Sequence, residues 1–296
     1  MGDVTTARLC PGGFFCAWQT PVPIHHLTGV VRNGSVGPSI ILPVEHCLSD
    51  PSDPDYPEPD APPPAEPIFN LPRIVSALAL VLVSIHAVRT LFLSTATDNE
   101  LILLFAFIPA IYGPAGAAAP VPEAAYWMPF SYGLLHGSWL HLGVNVVWML
   151  AFGTPVARRF GAVRFLALTL FATACGALAH YLANPGAFVP MIGASAAVSG
   201  HMGAAMRFVF NPLSRNGAGR GFRHDGPALS LAESFTNRQF VIFFIVWMGM
   251  NLAFGVGAAS VPGAGSAIAW QAHIGGFAAG IFGFFLFERR NTTLSA

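Results

Sequence analysis

Ser195 opens the run SAAVSGHMGAAMRF, which stays apolar for only about ten residues before Arg207. A helix rises about 1.5 Å per residue and needs about 20 residues to cross the hydrocarbon of a bilayer. A helix that begins at Ser195 and leaves near Phe210 therefore starts inside the membrane. That places a small hydroxyl at a helix N-terminus, at membrane depth, behind the Gly- and Pro-containing stretch NPGAFVPMIGA. Irregular backbone survives at such depth only where protein or a water-filled cavity satisfies its polar groups, so a wet intramembrane site is expected. No Asp or Glu falls inside any long apolar segment. Paired-carboxylate chemistry and HExxH zinc chemistry are thereby excluded, and neither a metal nor a cofactor is implied. Serine, histidine and asparagine chemistry remains, with a histidine acting as base without a carboxylate behind it.

Three histidines have the depth to serve. HGSWLHLGVN supplies His136, His141 and Asn145, and AHIGGFAAG supplies His273. At about 100° per residue, His141 and Asn145 share a helix face, whereas His136 is rotated about 140° from His141 on the same expected helix. His141 and Asn145 can then aim two donors at one point.

The elements that must position these groups follow from composition. With 296 residues, 54% of them hydrophobic and 9% charged, the chain is too apolar for an ordinary soluble domain. Zero formal net charge gives no basic excess for nucleic acid. Apolar runs predict six spans, near 73–93, 131–152, 162–182, 195–210, 239–255 and 267–287. Every basic residue is Arg. Arg158, Arg159 and Arg164 follow the second span, Arg207, Arg215, Arg220, Arg223 and Arg238 lie around the fourth-to-fifth connection, and Arg289 and Arg290 follow the sixth. The connections 95–130, 183–194 and 256–266 contain none. The positive-inside rule then predicts a multi-pass protein with both termini cytoplasmic. Helices two, four and six run from outside to inside, so Ser195, His141, Asn145 and His273 share the outer half of the bilayer.

Small residues permit those groups to meet. Gly276 and Gly280 form a GxxxG pattern below His273, and Ala196, Gly200, Gly203 and Ala204 line the fourth helix, with Gly193 just ahead of it. Membrane helices approach closely through such surfaces, which predicts Ser195 Oγ within reach of a His273 nitrogen.

Residues 1–70 read as a cytoplasmic tail. Their stretch DPSDPDYPEPDAPPPAEP is acidic and proline-rich, with little to bury. Cys10, Cys16, Cys47, His25 and His26 match no usual zinc spacing, and no signal peptide is read at the start. In the outward loop, LILLFAFIPAIY is too short to span and reads as interfacial or re-entrant. Residues 71–290 form the membrane domain, and 291–296 a short cytoplasmic tail.

The ordered set HGSWLHLGVN, GASA and AHIGGFAAG, with FGTPVARRFGAVRF after the second helix, resembles the rhomboid family of intramembrane serine proteases over about residues 70–290. The resemblance implies an all-α, six-transmembrane helical bundle of rhomboid type with a short central fourth helix. It further implies Ser195 as nucleophile, His273 as general base, His141 and Asn145 as oxyanion donors, and His136 as a supporting histidine. Single-span membrane proteins would be the substrates, the lipid bilayer the surroundings, and a bacterial plasma (inner) membrane the location. Two departures stand out: Ala196 follows the serine where the family usually has Gly, and Met128 follows Trp127 where many relatives carry Arg.

Blander readings exist for each group. An isolated GAS in a membrane helix reads as packing, as does Ser199 one turn on, while His86, His180 and His201 read as structural. Ala196 is the support for a catalytically silent relative that binds membrane helices. A histidine proton relay in a small transporter is a third reading; no inverted repeat or intramembrane carboxylate favours it.

Overall fold

The computed structural model describes residues 71–114, 116, 120–211, 226–255 and 269–288, together with two short strands near the N-terminus. Contacts divide the chain into two units, Met1–Pro67 and Ile68–Ala296. In the first, β1 (Arg8–Leu9) pairs antiparallel with β2 (Phe15–Cys16). The side chains of the N-terminal cysteines and histidines, the proline-rich run 50–67, and Arg215, Arg220, Arg223, Arg289 and Arg290 lie outside the described residues.

The second unit is helical. Its described elements are α1 (Arg73–Phe92), α2 (Thr95–Phe105), the turn α3 (Met128–Ser131), α4 (Trp139–Trp148), α5 (Thr154–Phe160), α6 (Ala162–Ala183), α7 (Ser195–Val209), α8 (Leu231–Thr236), α9 (Arg238–Gly255) and α10 (Trp270–Phe287). A π-helical turn, Met149–Gly153, joins α4 to α5, so Trp139–Phe160 runs as one helix. Among the described residues, five helices are long and apolar enough to cross a membrane: α1, Trp139–Phe160, α6, α9 and α10. They expose Leu80, Leu91, Phe92, Val147, Val163, Leu182, Ile245 and Leu286 on their outer surfaces, as lipid-facing helices do. At 15 residues α7 is shorter, and every residue from Ala196 to Phe208 is buried.

One helix starts later than the apolar run predicts. The expected span 131–152 is observed as Trp139–Phe160. Tyr132–Leu134 forms a 3-10 turn, and Ser138 is extended, at φ −158° and ψ 162°. Its hydroxyl accepts from His141 N at 3.2 Å, capping the first turn. Hydropathy does not mark this boundary, because Leu134 and Leu135 ahead of the break extend the apolar run. The helix also continues past Pro155. Proline lacks an N–H and crowds the carbonyl four residues back; the π turn immediately upstream alters the hydrogen-bond register where that conflict would fall. A correction follows for His136, which lies in the loop ahead of α4 and not on the helix with His141.

Glycines set how closely α7 meets its neighbours. A Cβ at Gly276 would land on the Ala196 carbonyl oxygen, and one at Gly280 on that of Gly200. Backbone thus lies against backbone along the α7–α10 interface. On the other flank, a Cβ at Gly275 would sit 2.6 Å from Ala179 Cβ of α6.

The segment after α1 folds over the end of the bundle that carries Ser195. Ser94 caps α2 by accepting from Thr97 N at 3.2 Å. Phe107 and Met191 exchange two backbone hydrogen bonds, of 3.0 and 2.9 Å. Trp127 Nε1 donates to Leu104 O at 2.9 Å, and Ser131 Oγ to Phe105 O at 2.8 Å. Met128 stands beside Trp127, and Arg89 of α1 supplies a tie from another element. Its guanidinium meets Asp98 at 2.7 and 3.1 Å and donates to His136 O at 3.0 Å.

At the opposite end, Arg207 is fully buried. It donates to Leu229 O at 3.0 and 2.6 Å and to Ile281 O at 2.8 Å, and lies over the rings of Phe284 and Phe285. Arg159 pairs with Glu288 nearby. Ser230 and Glu233 form a capping box at α8, and the Ser230 N–H holds the Glu233 carboxyl below the usual carboxylate range.

Candidate active site

The approach to α7 is shaped by one glycine. Gly193 has φ +128°, a conformation that side chains disfavour, and donates from N to Tyr132 O at 3.0 Å. Ala194 N then donates to His136 Nε2 at 3.4 Å. These bonds fasten the segment ahead of α7 to the loop ahead of α4. Ser195 is the first residue of the helix, and the N–H groups of a first turn have no partner within the helix.

Ser195 Oγ lies 2.7 Å from His273 Nε2, in the first turn of α10. The other imidazole nitrogen, Nδ1, lies 2.5 Å from Asn251 Oδ1 of α9. Asn251 in turn donates from Nδ2 to Trp247 O at 2.8 Å. Three helices thus contribute one continuous hydrogen-bonded chain.

His141 faces the same space. Gly137 N donates to its Nδ1 at 3.4 Å, so the neutral ring carries its proton on Nε2. A Cβ added at Gly193 would sit 2.8 Å from that Nε2 and 3.7 Å from Ser195 Oγ. The bare glycine therefore leaves room for a small group bounded by the His141 donor and the serine oxygen. His136 packs its ring edge-on against His141, with centroids 5.1 Å apart.

Of the residues the sequence singled out, Ser195, His273, His141, His136 and Gly193 converge here. Asn145 is turned differently: its Nδ2 donates to His141 O at 2.8 Å, within its own helix. The other described histidines lie outside the serine's contacts. His201 Nε2 is 2.9 Å from Thr169 Oγ1, His180 Nδ1 is 3.3 Å from Asn184 Nδ2, and His86 packs against the Trp139 ring. Asn251 was missed, although beyond Gln239 it is the lone polar side chain of an otherwise apolar helix. Polar groups in such segments are costly and tend to serve function. Among the described residues no group of three or more His, Cys, Asp or Glu could hold a metal ion.

The helical unit, with its spanning-length helices and a serine–histidine contact at the start of a buried helix, defines an integral, multi-pass membrane protein with a hydrolase-like site. Residues 123–290 match the rhomboid domain, and the chain belongs to the rhomboid family. It is similar to the rhomboid protease GluP of Bacillus subtilis, 28% identical over 162 residues, which is 55% of this chain and 26% of that one. It is also similar to the rhomboid protease GlpG of Haemophilus influenzae, 35% identical over 81 residues, 27% of this chain and 42% of that one. The matched stretches thus span less than half the length of either relative.

Proposed function

We propose that this protein is an intramembrane serine endopeptidase that cleaves transmembrane segments near the outer face of the bilayer with a Ser195/His273 dyad. The observation that carries the reading is the 2.7 Å separation of Ser195 Oγ and His273 Nε2 at the start of α7. The names of the two relatives, both rhomboid proteases, agree with it.

The Ser195 O–H proton passes to His273 Nε2 as Oγ attacks the scissile carbonyl carbon. The carbonyl oxygen becomes an oxyanion and accepts from His141 Nε2–H and from the Ser195 backbone N–H; one such donor is worth about 10²–10³ in rate. Asn145 joins by turning its amide away from the His141 carbonyl. Collapse of the tetrahedral species breaks the C–N bond, and His273 Nε2–H protonates the departing amine. Water then gives its proton to His273 and attacks the acyl ester, and Ser195 leaves with that proton. A substrate helix must unwind locally first, because helical carbonyls are engaged and shielded.

In this reading α7 is the short, central fourth of six spans. The site end faces outward and both termini are cytoplasmic, in keeping with the Arg-free connections there. Residues 1–70 form the cytoplasmic tail, 71–290 the membrane domain and 291–296 a second short tail. Single-span membrane proteins are the substrates.

The test is cleavage of a single-span substrate by the purified full chain in liposomes, comparing wild type with Ser195→Ala and His273→Ala. Cleavage lost in both, with a serine-reactive phosphonate labelling only chains that keep Ser195, supports the dyad. Failure of wild type to cleave several substrates or to be labelled leaves a silent binding protein.

A further inference from the structure

α9 buries only Phe240, Trp247 and Asn251, the least of the five spanning-length helices. Two of these are apolar packing residues. Phe240 stacks on Phe244, and Trp247 stacks on Phe277 of α10 at 4.2 Å between centroids. An amide in such company is expensive unless both its ends are satisfied. Both ends of Asn251 are. Nδ2 donates to Trp247 O at 2.8 Å, which fixes the orientation of the amide, because an oxygen in that place would face another acceptor. Oδ1 must then be the atom 2.5 Å from His273 Nδ1.

An amide oxygen can only accept. His273 Nδ1 therefore carries the ring proton, and Nε2 presents its lone pair to Ser195 O–H at 2.7 Å. The other tautomer would place two lone pairs face to face at Nδ1 and give Nε2 a proton it must shed before acting as base. The Trp247 carbonyl, Asn251 amide, His273 imidazole and Ser195 hydroxyl thus form a chain with one direction of donation.

We propose that Asn251 is a positioning residue for hydrolysis, holding His273 in the Nδ1–H tautomer and in the ring orientation that aims Nε2 at Ser195. This rests on the Ser195/His273 reading above and adds a third member from a different helix. Asn251 touches the base and not the reacting atoms. Its removal slows the chemical step and leaves substrate binding in place.

The experiment compares Asn251→Leu, a near-isosteric change without an acceptor, with Asn251→Asp, which keeps an acceptor oxygen at the same reach. Both are assayed as full chains in liposomes for kcat, KM and phosphonate labelling rate. In parallel, nitrogen NMR of labelled imidazoles reports the tautomer, with the His273 signal assigned by its loss in His273→Ala. Expected for Asn251→Leu are a fall of about tenfold to a hundredfold in kcat and labelling rate, a nearly unchanged KM, and loss of the Nδ1–H signature. Asn251→Asp should retain most of both rates. Wild-type activity matched by Asn251→Leu overturns the proposal while leaving the Ser195/His273 reading standing. So does an activity loss that follows lost thermal stability in both variants, which marks a packing role. A wild type that neither cleaves nor labels overturns both.

Discussion

The methyl of Ala196 sits directly across from Gly176 of α6. A Cβ built at Gly176 would lie 2.5 Å from Ala196 Cβ, closer than two carbons can approach. It would also meet Ala272 O and Tyr132 Oη, each at 2.9 Å. The residue after the serine is Ala where the family usually has Gly, and the bare Cα of Gly176 opens the space its methyl occupies. Ala196 is 1% exposed. The departure that supported a silent protein is therefore accommodated in packing.

Overpacking this contact is expected to cost about 1–3 kcal/mol. Gly176→Ala should lower the unfolding midpoint in detergent, and Ala196→Gly added to it should recover part of the loss. Recovery stays incomplete because the Tyr132 and Ala272 oxygens still crowd the new methyl. Four unfolding curves form a double-mutant cycle. A coupling energy near zero would show that the two residues do not share this space.

Arg89 is expected to hold the cap over the site. It is 5% exposed, its partner Asp98 is 25% exposed, and it also donates to the carbonyl of His136, whose ring receives the Ala194 N–H. Arg89→Met should cost about 1–3 kcal/mol, less than a fully buried pair because Asp98 reaches solvent. Asp98→Asn keeps an acceptor and should cost less. Limited proteolysis of the 95–130 segment in liposomes checks this. Equal protection in wild type and Arg89→Met would refute the tie.

Arg207 works at the other end of α7. Its backbone oxygen accepts from Leu229 N at 2.6 Å while its guanidinium donates back to Leu229 O, gripping the segment ahead of α8. Arg207→Met should destabilise by about 2–4 kcal/mol through lost charged hydrogen bonds and ring contacts. Phosphonate labelling of the folded fraction should stay within about twofold of wild type, since distant sites are close to independent. A large drop in labelling at unchanged stability would instead tie this end to the serine.

The start of α7 at Ser195 was legible in sequence, because a short apolar run cut by Arg207 fixes where a helix can begin. The shared depth of Ser195, His141 and His273 followed from three parallel helices. Asn251 escaped that reasoning for a geometric reason. α9 runs antiparallel to them, so its polar residue reaches the same depth from near the helix's C-terminal end, and its one signal was being the lone polar side chain there. The start of α4 escaped because the capping Ser138 has leucines on both sides, at Leu134, Leu135 and Leu140, and only the backbone reveals the break. Gly176 opposite Ala196 is a pairing between helices, which no spacing along one helix can disclose.

Gly193 is the position where a single methyl should silence the site with the least damage to the fold. Its φ of +128° disfavours any side chain, and the added Cβ would press to 2.8 Å against His141 Nε2 and Cε1. The strain is of order 1–3 kcal/mol, within what a folded bundle tolerates. The same methyl fills the space between the His141 donor and Ser195 Oγ, where the oxyanion would form. Gly193→Ala should therefore lose at least the worth of one oxyanion donor, about 10²–10³ in kcat, while the Ser195–His273 hydrogen bond persists. Measured kcat together with the unfolding midpoint separates the two effects. A variant that unfolds in step with its loss of rate, or one that keeps wild-type kcat, would remove Gly193 from the site.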